Sequence, residues 1–415
     1  MKIYIKTFGC RTNIYDSELI KSYIKENEII NDELEADLII INSCTVTNQA
    51  DVGLKQYINH IKKHNPKVKF VLTGCAAASI GKKLYESKIV DSVLGASNKA
   101  NVEKLILKPN FFELGNLNFI DDKIVSNYEN HTKAFVKIQE GCDFSCSYCI
   151  IPSVRGKARS LKMEQIIEQI KTLANNGYKE IVLTGTNIGS YGKDINLSLA
   201  KLLKQISLIK GIKRIRLGSI EPAQIDDEFK ELLDESFLER HLHIALQHTN
   251  ETMLKLMQRR NKAYKDLALF EYLASKGYAL GTDYIVGHPG ESDEIWADAL
   301  NNFKKFPITH LHAFVYSKRD GTKSIELAKT LGEVDKNKAK IRLNEIKEIA
   351  KNNNYEFRKK QKDLLVLVEQ YKDGFYQGYD QFFNLIKIKS NKDLLKSWVN
   401  ITNYEVEIDK NKAIY

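Results

Sequence analysis

Apolar and polar positions in the first hundred residues follow a repeated strand–helix rhythm. Lys2-Ile3-Tyr4-Ile5-Lys6-Thr7-Phe8, Asp37-Leu38-Ile39-Ile40-Ile41-Asn42 and Lys69-Phe70-Val71-Leu72-Thr73 are short runs rich in β-branched and aromatic residues, with longer helical patterns between them. Runs of this length and composition, separated by helices, predict parallel strands joined by crossovers. A fourth strand is predicted over Val90-Asp91-Ser92-Val93-Leu94-Gly95. Each of the first three runs stops at a small residue and a cysteine: Gly9-Cys10, Ser43-Cys44 and Gly74-Cys75. The C-terminal ends of parallel strands share one edge, where ligands bind. The pattern therefore lets Cys10, Cys44 and Cys75 converge although they are far apart in the chain. Three separately buried structural cysteines are the plainer alternative.

A second rhythm begins after a polar stretch from about Pro109 to Thr132, whose short apolar runs are expected to pair as a hairpin. Strands predicted over 134–140, 179–186, 213–220, 241–246, 279–286 and 310–316 alternate with helical patterns. Six such units suit an incomplete barrel rather than a closed eight-fold one, with the active site at the C-terminal mouth. The first of these strands runs into Gly141-Cys142-Asp143-Phe144-Ser145-Cys146-Ser147-Tyr148-Cys149. Three thiolates so close can hold three irons of a cubane cluster and leave the fourth open to another ligand. Structural zinc usually takes four ligands in two close pairs. Disulfides suit exported proteins, and no signal peptide is read at the N-terminus.

Beyond a charged helix predicted over about 333–360 the pattern changes again. Leu364-Leu365-Val366-Leu367-Val368, Asn384-Leu385-Ile386-Lys387-Ile388 and Trp398-Val399-Asn400-Ile401 read as strands divided by turns such as Asp373-Gly374. A small antiparallel β-barrel of the OB-like kind is expected; such modules often grip nucleic acid, the alternative being an appendage that only packs. The expected units are 1–108, 131–330 and 361–415.

Composition narrows the picture modestly. The 415 residues are 43% hydrophobic, and no apolar run approaches membrane-spanning length. A cytoplasmic protein with no membrane partner is expected, in a compartment where thiols stay reduced. The formal net charge of +10 permits a polyanion such as RNA as partner without requiring one.

The cysteine loop, with Tyr148 before its last thiol, has the spacing of the radical S-adenosylmethionine (SAM) enzymes. With a second cysteine trio ahead of it and a β-module behind, the chain resembles the methylthiotransferases over nearly its whole length. The matching segments include Thr7-Phe8-Gly9-Cys10-Arg11-Thr12-Asn13, Asp16-Ser17-Glu18, Thr73-Gly74-Cys75, Thr282-Asp283-Tyr284-Ile285-Val286-Gly287-His288-Pro289-Gly290-Glu291 and Leu311-His312-Ala313-Phe314-Val315-Tyr316-Ser317. Leu246-Gln247-His248-Thr249-Asn250 and His288 depart from the family's usual Leu-Gln-Ser-Gly-Ser and Phe. The resemblance implies an α/β chain: a flavodoxin-like parallel-sheet domain, a radical SAM partial (β/α)6 barrel and a TRAM-like β-barrel. It implies two [4Fe-4S] clusters, one on Cys10, Cys44 and Cys75 and one on Cys142, Cys146 and Cys149. It also implies SAM and an external one-electron reductant.

Asn187, in Thr184-Gly185-Thr186-Asn187, and Ser219 and Glu221 follow barrel strands where this superfamily contacts SAM; an ordinary loop or cap is the alternative for each. Arg155, Lys157 and Arg159 are expected to meet phosphate or a substrate carboxylate, or else to solvate the surface. His243 and His248 are given a structural or substrate role, since thiolates suffice as ligands. Thr45-Val46-Thr47 after Cys44, with Cys149-Ile150-Ile151-Pro152, resembles the branch acting on N6-threonylcarbamoyladenosine (t6A) in tRNA. That branch converts the base at position 37 in the anticodon loop to its 2-methylthio form, which requires the base to leave its stack. Alternatives are isopentenyladenosine in tRNA, a ribosomal-protein aspartate, an electron-transfer protein, and a non-enzymatic metal-containing RNA-binding protein.

Overall fold

The computed structural model describes all residues except 25–27, 98, 107, 109 and 130, and the side chains of 104 and 105. Pro109, the expected start of the linker, lies outside the described residues. The first unit is a six-stranded sheet built from β1 (Lys2–Thr7), β2 (Glu28–Ile29), β3 (Leu38–Asn42), β4 (Lys69–Thr73), β5 (Ser92–Leu94) and β6 (Phe112–Glu113), in the order β2-β1-β3-β4-β5-β6. Every pair in it is parallel. All five residues of β3 are buried, as expected of a central strand covered by helices on both faces. Thr7, Asn42 and Thr73 lie side by side at the ends of β1, β3 and β4, so Cys10, Cys44 and Cys75 leave three adjacent strands at one edge. Among the described residues of the linker the expected hairpin does not form. Phe112–Glu113 instead pairs in parallel with β5, and Gly95 N–H donates to Glu113 O, covering a sheet edge that would otherwise present bare backbone groups.

The second unit contains β7 (Ala134–Glu140), β8 (Arg159–Ser160), β9 (Glu180–Gly185), β10 (Arg214–Leu217), β11 (His241–His243), β12 (Ala279–Val286) and β13 (Ile308–Val315). The parallel order is β7-β9-β10 and β11-β12-β13, joined through the bridges Ile215–Leu238 and Ile220–Ile244. Six parallel strands thus form an open barrel, with β8 antiparallel on the free side of β7. Tyr15 and Leu19, on the helix Arg11–Tyr23 that follows Cys10, belong to the same buried cluster as the barrel core. Thr12 Oγ1 lies 3.2 Å from Thr184 Oγ1 at the end of β9, and Arg11 reaches the carbonyl of Leu217 at the end of β10. The start of that helix is therefore seated on the barrel mouth.

The helix Lys336–Lys359 leads to β14 (Leu364–Lys372), β15 (Phe375–Tyr379), β16 (Leu385–Lys389), β17 (Trp398–Ile401), β18 (Glu405–Val406) and β19 (Asn411–Ile414). They make one curled sheet, β17-β14-β15-β16-β19-β18, antiparallel except for the β16–β19 pair. Its loop at 379–384 is bound to the base of the barrel: Arg216 donates to Asp380 O at 2.7 Å and Arg214 to Tyr379 O at 3.3 Å. Phe383, at φ +64°, stacks on His241 with ring centroids 5.3 Å apart.

Candidate active site

Glycines set the approach of the early cysteines. Gly9 has φ +113°, and a Cβ there would lie 2.5 Å from the Cβ of Cys44. Gly74, at φ +81°, would bring its Cβ within 2.4 Å of Asn42 Oδ1. Two of the three thiols also begin helices. Cys10 is the N-cap of Arg11–Tyr23 and Cys75 the first residue of Cys75–Ser79. Val46 N–H points at Cys44 Sγ from 3.4 Å.

The barrel loop is pinned at several points. Gly141 has φ +77°, and a Cβ there would overlap the carbonyl of Lys157. Cys142 N–H donates to Gly156 O at 3.0 Å, Ser147 N–H to Met257 O at 2.9 Å, and Cys149 N–H to Cys146 O at 3.1 Å. One cysteine of the barrel loop and two of the early three share one cavity of about 430 Å³, lined by Cys10 and Cys75 from one side and Tyr148, Cys149, Gln247 and Asp283 from the other. Val46 and Thr47, which follow Cys44, also line it.

The donor set fits iron–sulfur clusters. A tetrahedral zinc holds its thiolates about 3.8 Å apart, from Zn–S bonds of about 2.3 Å. Among the described residues the set of metal-ligating atoms gathered within 4.8 Å is His243, Asp283 and His312, not either cysteine trio. A cubane, whose irons stand apart, holds its thiolates wider. Burial raises the Cys44 thiol to about 11, with Cys75 adding to the effect. Burial raises Cys149 to about 12, with Cys146 and Cys142 adding to it. Such thiols stay protonated at neutral pH unless a cation takes the proton's place.

Of the three expected SAM contacts, Asn187 lies against the barrel loop and Glu221 reaches it through Arg259, while Ser219 stands by Asp283. Asn187 is buried; its Nδ2 is 3.8 Å from Cys142 Sγ, and its Oδ1 has no hydrogen-bond partner. Glu221 forms a two-pronged ion pair with Arg259, whose Nη1 is 3.7 Å from Cys146 Sγ. Ser219 is exposed, its hydroxyl 3.5 Å from Asp283 Oδ2. His243 faces Asp283 at 3.2 Å, and His248 is buried, accepting from Asn250 N–H at 3.0 Å.

The basic trio divides by surroundings. Arg155 is 2% exposed, and its guanidinium donates to Cys75 Sγ (3.1 Å), Asp16 (2.8 Å), Glu140 (2.6 Å) and Asn13 (2.9 Å). It ties the barrel to the first unit and is no phosphate ligand. Arg159 is bound by the carbonyls of Phe119, Arg155 and Lys157. Lys157 is exposed. Arg259 and Gln247 were missed. Gln247 sits at φ +67° on the cavity wall, a conformation that costs about 1–3 kcal/mol and accumulates at functional sites. The only sequence signal for Gln247 is its place in the Leu246–Asn250 segment set beside the family's Leu-Gln-Ser-Gly-Ser.

A partial barrel with a three-cysteine loop at its mouth defines a radical SAM enzyme. Residues 136–302 match the radical SAM superfamily, and residues 2–95 match an uncharacterized family, UPF0004. A Helicobacter pylori protein, named as a methylthiotransferase without a substrate, is 48% identical over 100% of both chains. The threonylcarbamoyladenosine tRNA methylthiotransferase MtaB of Aquifex aeolicus is 34% identical over 94% of this chain and 100% of its own. The tRNA-2-methylthio-N(6)-dimethylallyladenosine synthase of a Hydrogenobaculum strain is 32% identical over 97% and 96%. Among solved structures, the cobalamin-containing methyltransferase TsrM of Kitasatospora setae superposes with a TM-score of 0.62 at 14% identity, covering 79% of this chain and 78% of that one. The chain belongs to the methylthiotransferases of the radical SAM superfamily. Enzymes of this family use SAM and a [4Fe-4S] cluster and carry a second cluster. No helix among the described residues is long and apolar enough to cross a membrane.

Proposed function

We propose that this enzyme transfers a methylthio group to C2 of N6-threonylcarbamoyladenosine at position 37 of tRNA, in the cytoplasm. Cys142, Cys146 and Cys149 hold the SAM-binding cluster, and Cys10, Cys44 and Cys75 the auxiliary one. The observation that carries this reading is the shared cavity, with Cys149 on one wall and Cys10 and Cys75 on the other. When bound, the two clusters and SAM supply one-electron cleavage and the methylthio sulfur, fed by an external one-electron reductant. The protein's own part is placement. Asn187 offers its unpartnered Oδ1 to SAM, and Arg259, held by Glu221, faces the ligand Cys146. Ser219, its hydroxyl 3.5 Å from Asp283, and Glu221 are kept as further SAM contacts. Lys157, exposed beside the barrel loop, is kept as a phosphate contact. The units are divided at 1–108, 131–330 and 361–415, with the last, TRAM-like module gripping the anticodon stem and loop.

The t6A assignment is supported by Thr45-Val46-Thr47 and by the MtaB relative. The Hydrogenobaculum relative favours dimethylallyladenosine as a second reading. Nucleoside mass spectrometry on tRNA from a deletion strain separates them. Loss of 2-methylthio-t6A with the dimethylallyl derivative unchanged supports the first. The opposite pattern supports the second. Intact levels of both refute a tRNA substrate of either kind.

A further inference from the structure

Arg155 leaves the barrel's cysteine loop on the short helix Ile151–Arg155, yet its side chain ends in the first unit. Nε donates to Cys75 Sγ at 3.1 Å. Nη1 is fixed by Asp16 at 2.8 Å and Glu140 at 2.6 Å, and Nη2 by Asn13 Oδ1 at 2.9 Å. Behind this fork Lys137 binds both carboxylates, at 2.9 Å to Asp16 and 3.0 Å to Glu140, and Lys99 lies 3.4 Å from Asp16. All of these groups are buried. A planar guanidinium held at both terminal nitrogens cannot easily swing away, so its Nε–H stays aimed at one sulfur.

We infer that Arg155 is a positioning residue that sets the reduction potential of the auxiliary cluster through the Cys75 sulfur. The inference rests on the assignment of Cys75 to that cluster. A hydrogen bond and a positive charge at a ligating sulfur favour the more negative, reduced cluster, so the guanidinium raises the potential. Asp16 and Glu140 oppose that effect while holding the fork in place. Because Arg155 ends the short helix that follows the barrel's cysteine loop, this contact couples the auxiliary cluster to the segment next to Cys149.

The test is an EPR-monitored redox titration of the anaerobically reconstituted holoenzyme. The SAM-binding cluster is recognised by a signal that changes on adding SAM, and the auxiliary cluster by one that does not. Arg155→Gln is expected to move the auxiliary midpoint to lower potential. Glu140→Gln, which keeps Arg155 and removes an opposing charge, is expected to move it to higher potential. The SAM-responsive midpoint should shift less in both. Unmoved auxiliary midpoints, or shifts of one sign in both variants, overturn the inference. If Arg155→Gln loses its auxiliary irons, Glu140→Gln decides alone, and loss of those irons from both variants also overturns it. A wild type with about four irons and only the SAM-responsive signal would sink the cluster assignment itself, which is a separate failure.

Discussion

Gly9→Ala tests whether Cys44 is held as a cluster ligand by the close approach of the chain before Cys10. The added methyl would stand 2.5 Å from the Cβ of Cys44 and 3.1 Å from Asn13 Nδ2, where ordinary contact begins at 3.4 Å. Cys44 would have to retreat by about 1 Å in a well-packed site. The backbone at φ +113° adds about 1–3 kcal/mol for any side chain. Asn13 cannot simply give way, because Nδ2 holds Phe8 O at 2.8 Å and Oδ1 holds Arg155. The barrel loop lies in another unit and should keep its own cluster. After anaerobic reconstitution, iron and sulfide analysis should therefore fall from about eight irons per chain to about four. Gly53→Ala is the control. It lies in the helix Asn48–His64, has nothing within 4 Å of the added methyl, and should gain about 0.5–1 kcal/mol with iron unchanged. A Gly9→Ala protein with full iron and an intact SAM-insensitive EPR signal would refute the reasoning.

Two further outcomes follow from buried groups. Asn187→Ala removes the unpartnered Oδ1 at the barrel loop; the KM for SAM should rise about tenfold, the equivalent of one hydrogen bond, with kcat for 5′-deoxyadenosine formation little changed. An unchanged KM would remove Asn187 from the SAM site. Burial alone would raise Glu180, but Arg216 and Arg214 outweigh it and hold the carboxyl at about 2, below its ordinary 4.5. A depressed carboxyl contributes stability that is complete above pH 4.5 and is lost as the pH falls towards 2, here about 3 kcal/mol in all. The denaturant stability of wild type relative to Glu180→Gln should therefore shrink between pH 5 and pH 3. Comparing the two proteins cancels their shared acid lability, and a constant gap would contradict the assignment.

What the sequence disclosed divides along a physical line. Cys10, Cys44 and Cys75 are legible because each is announced by its own neighbours: a strand that stops, a glycine or serine, then a thiol. Adjacency of β1, β3 and β4 then follows from the parallel rhythm. The barrel strands were legible for the same reason, as were three strands of the last sheet. Signals that depend on a partner elsewhere were not. Phe112–Glu113 looked like half of a hairpin because the unpaired edge of β5 cannot be seen locally. Phe383 carries no mark of its stacking on His241, nor Arg259 of its approach to Cys146.

Arg155 shows why this division matters for function. In the sequence it is one of three cations beyond a cysteine loop, and cations near an RNA-modifying site invite a phosphate reading. In the fold it carries two buried carboxylates, an asparagine and a thiol, in a pocket where an uncompensated charge would cost several kcal/mol. Asp16 sits in the Asp16-Ser17-Glu18 segment and Asn13 just ahead of it, so motifs more than a hundred residues apart meet on one guanidinium. A cation that must satisfy both units cannot also travel to a substrate phosphate. The two cysteine trios need a fixed mutual orientation if one cavity is to serve both. Buried ionic groups fix register in the best-attested cases, and the Arg155 cluster joining the two units would serve that orientation in the same way.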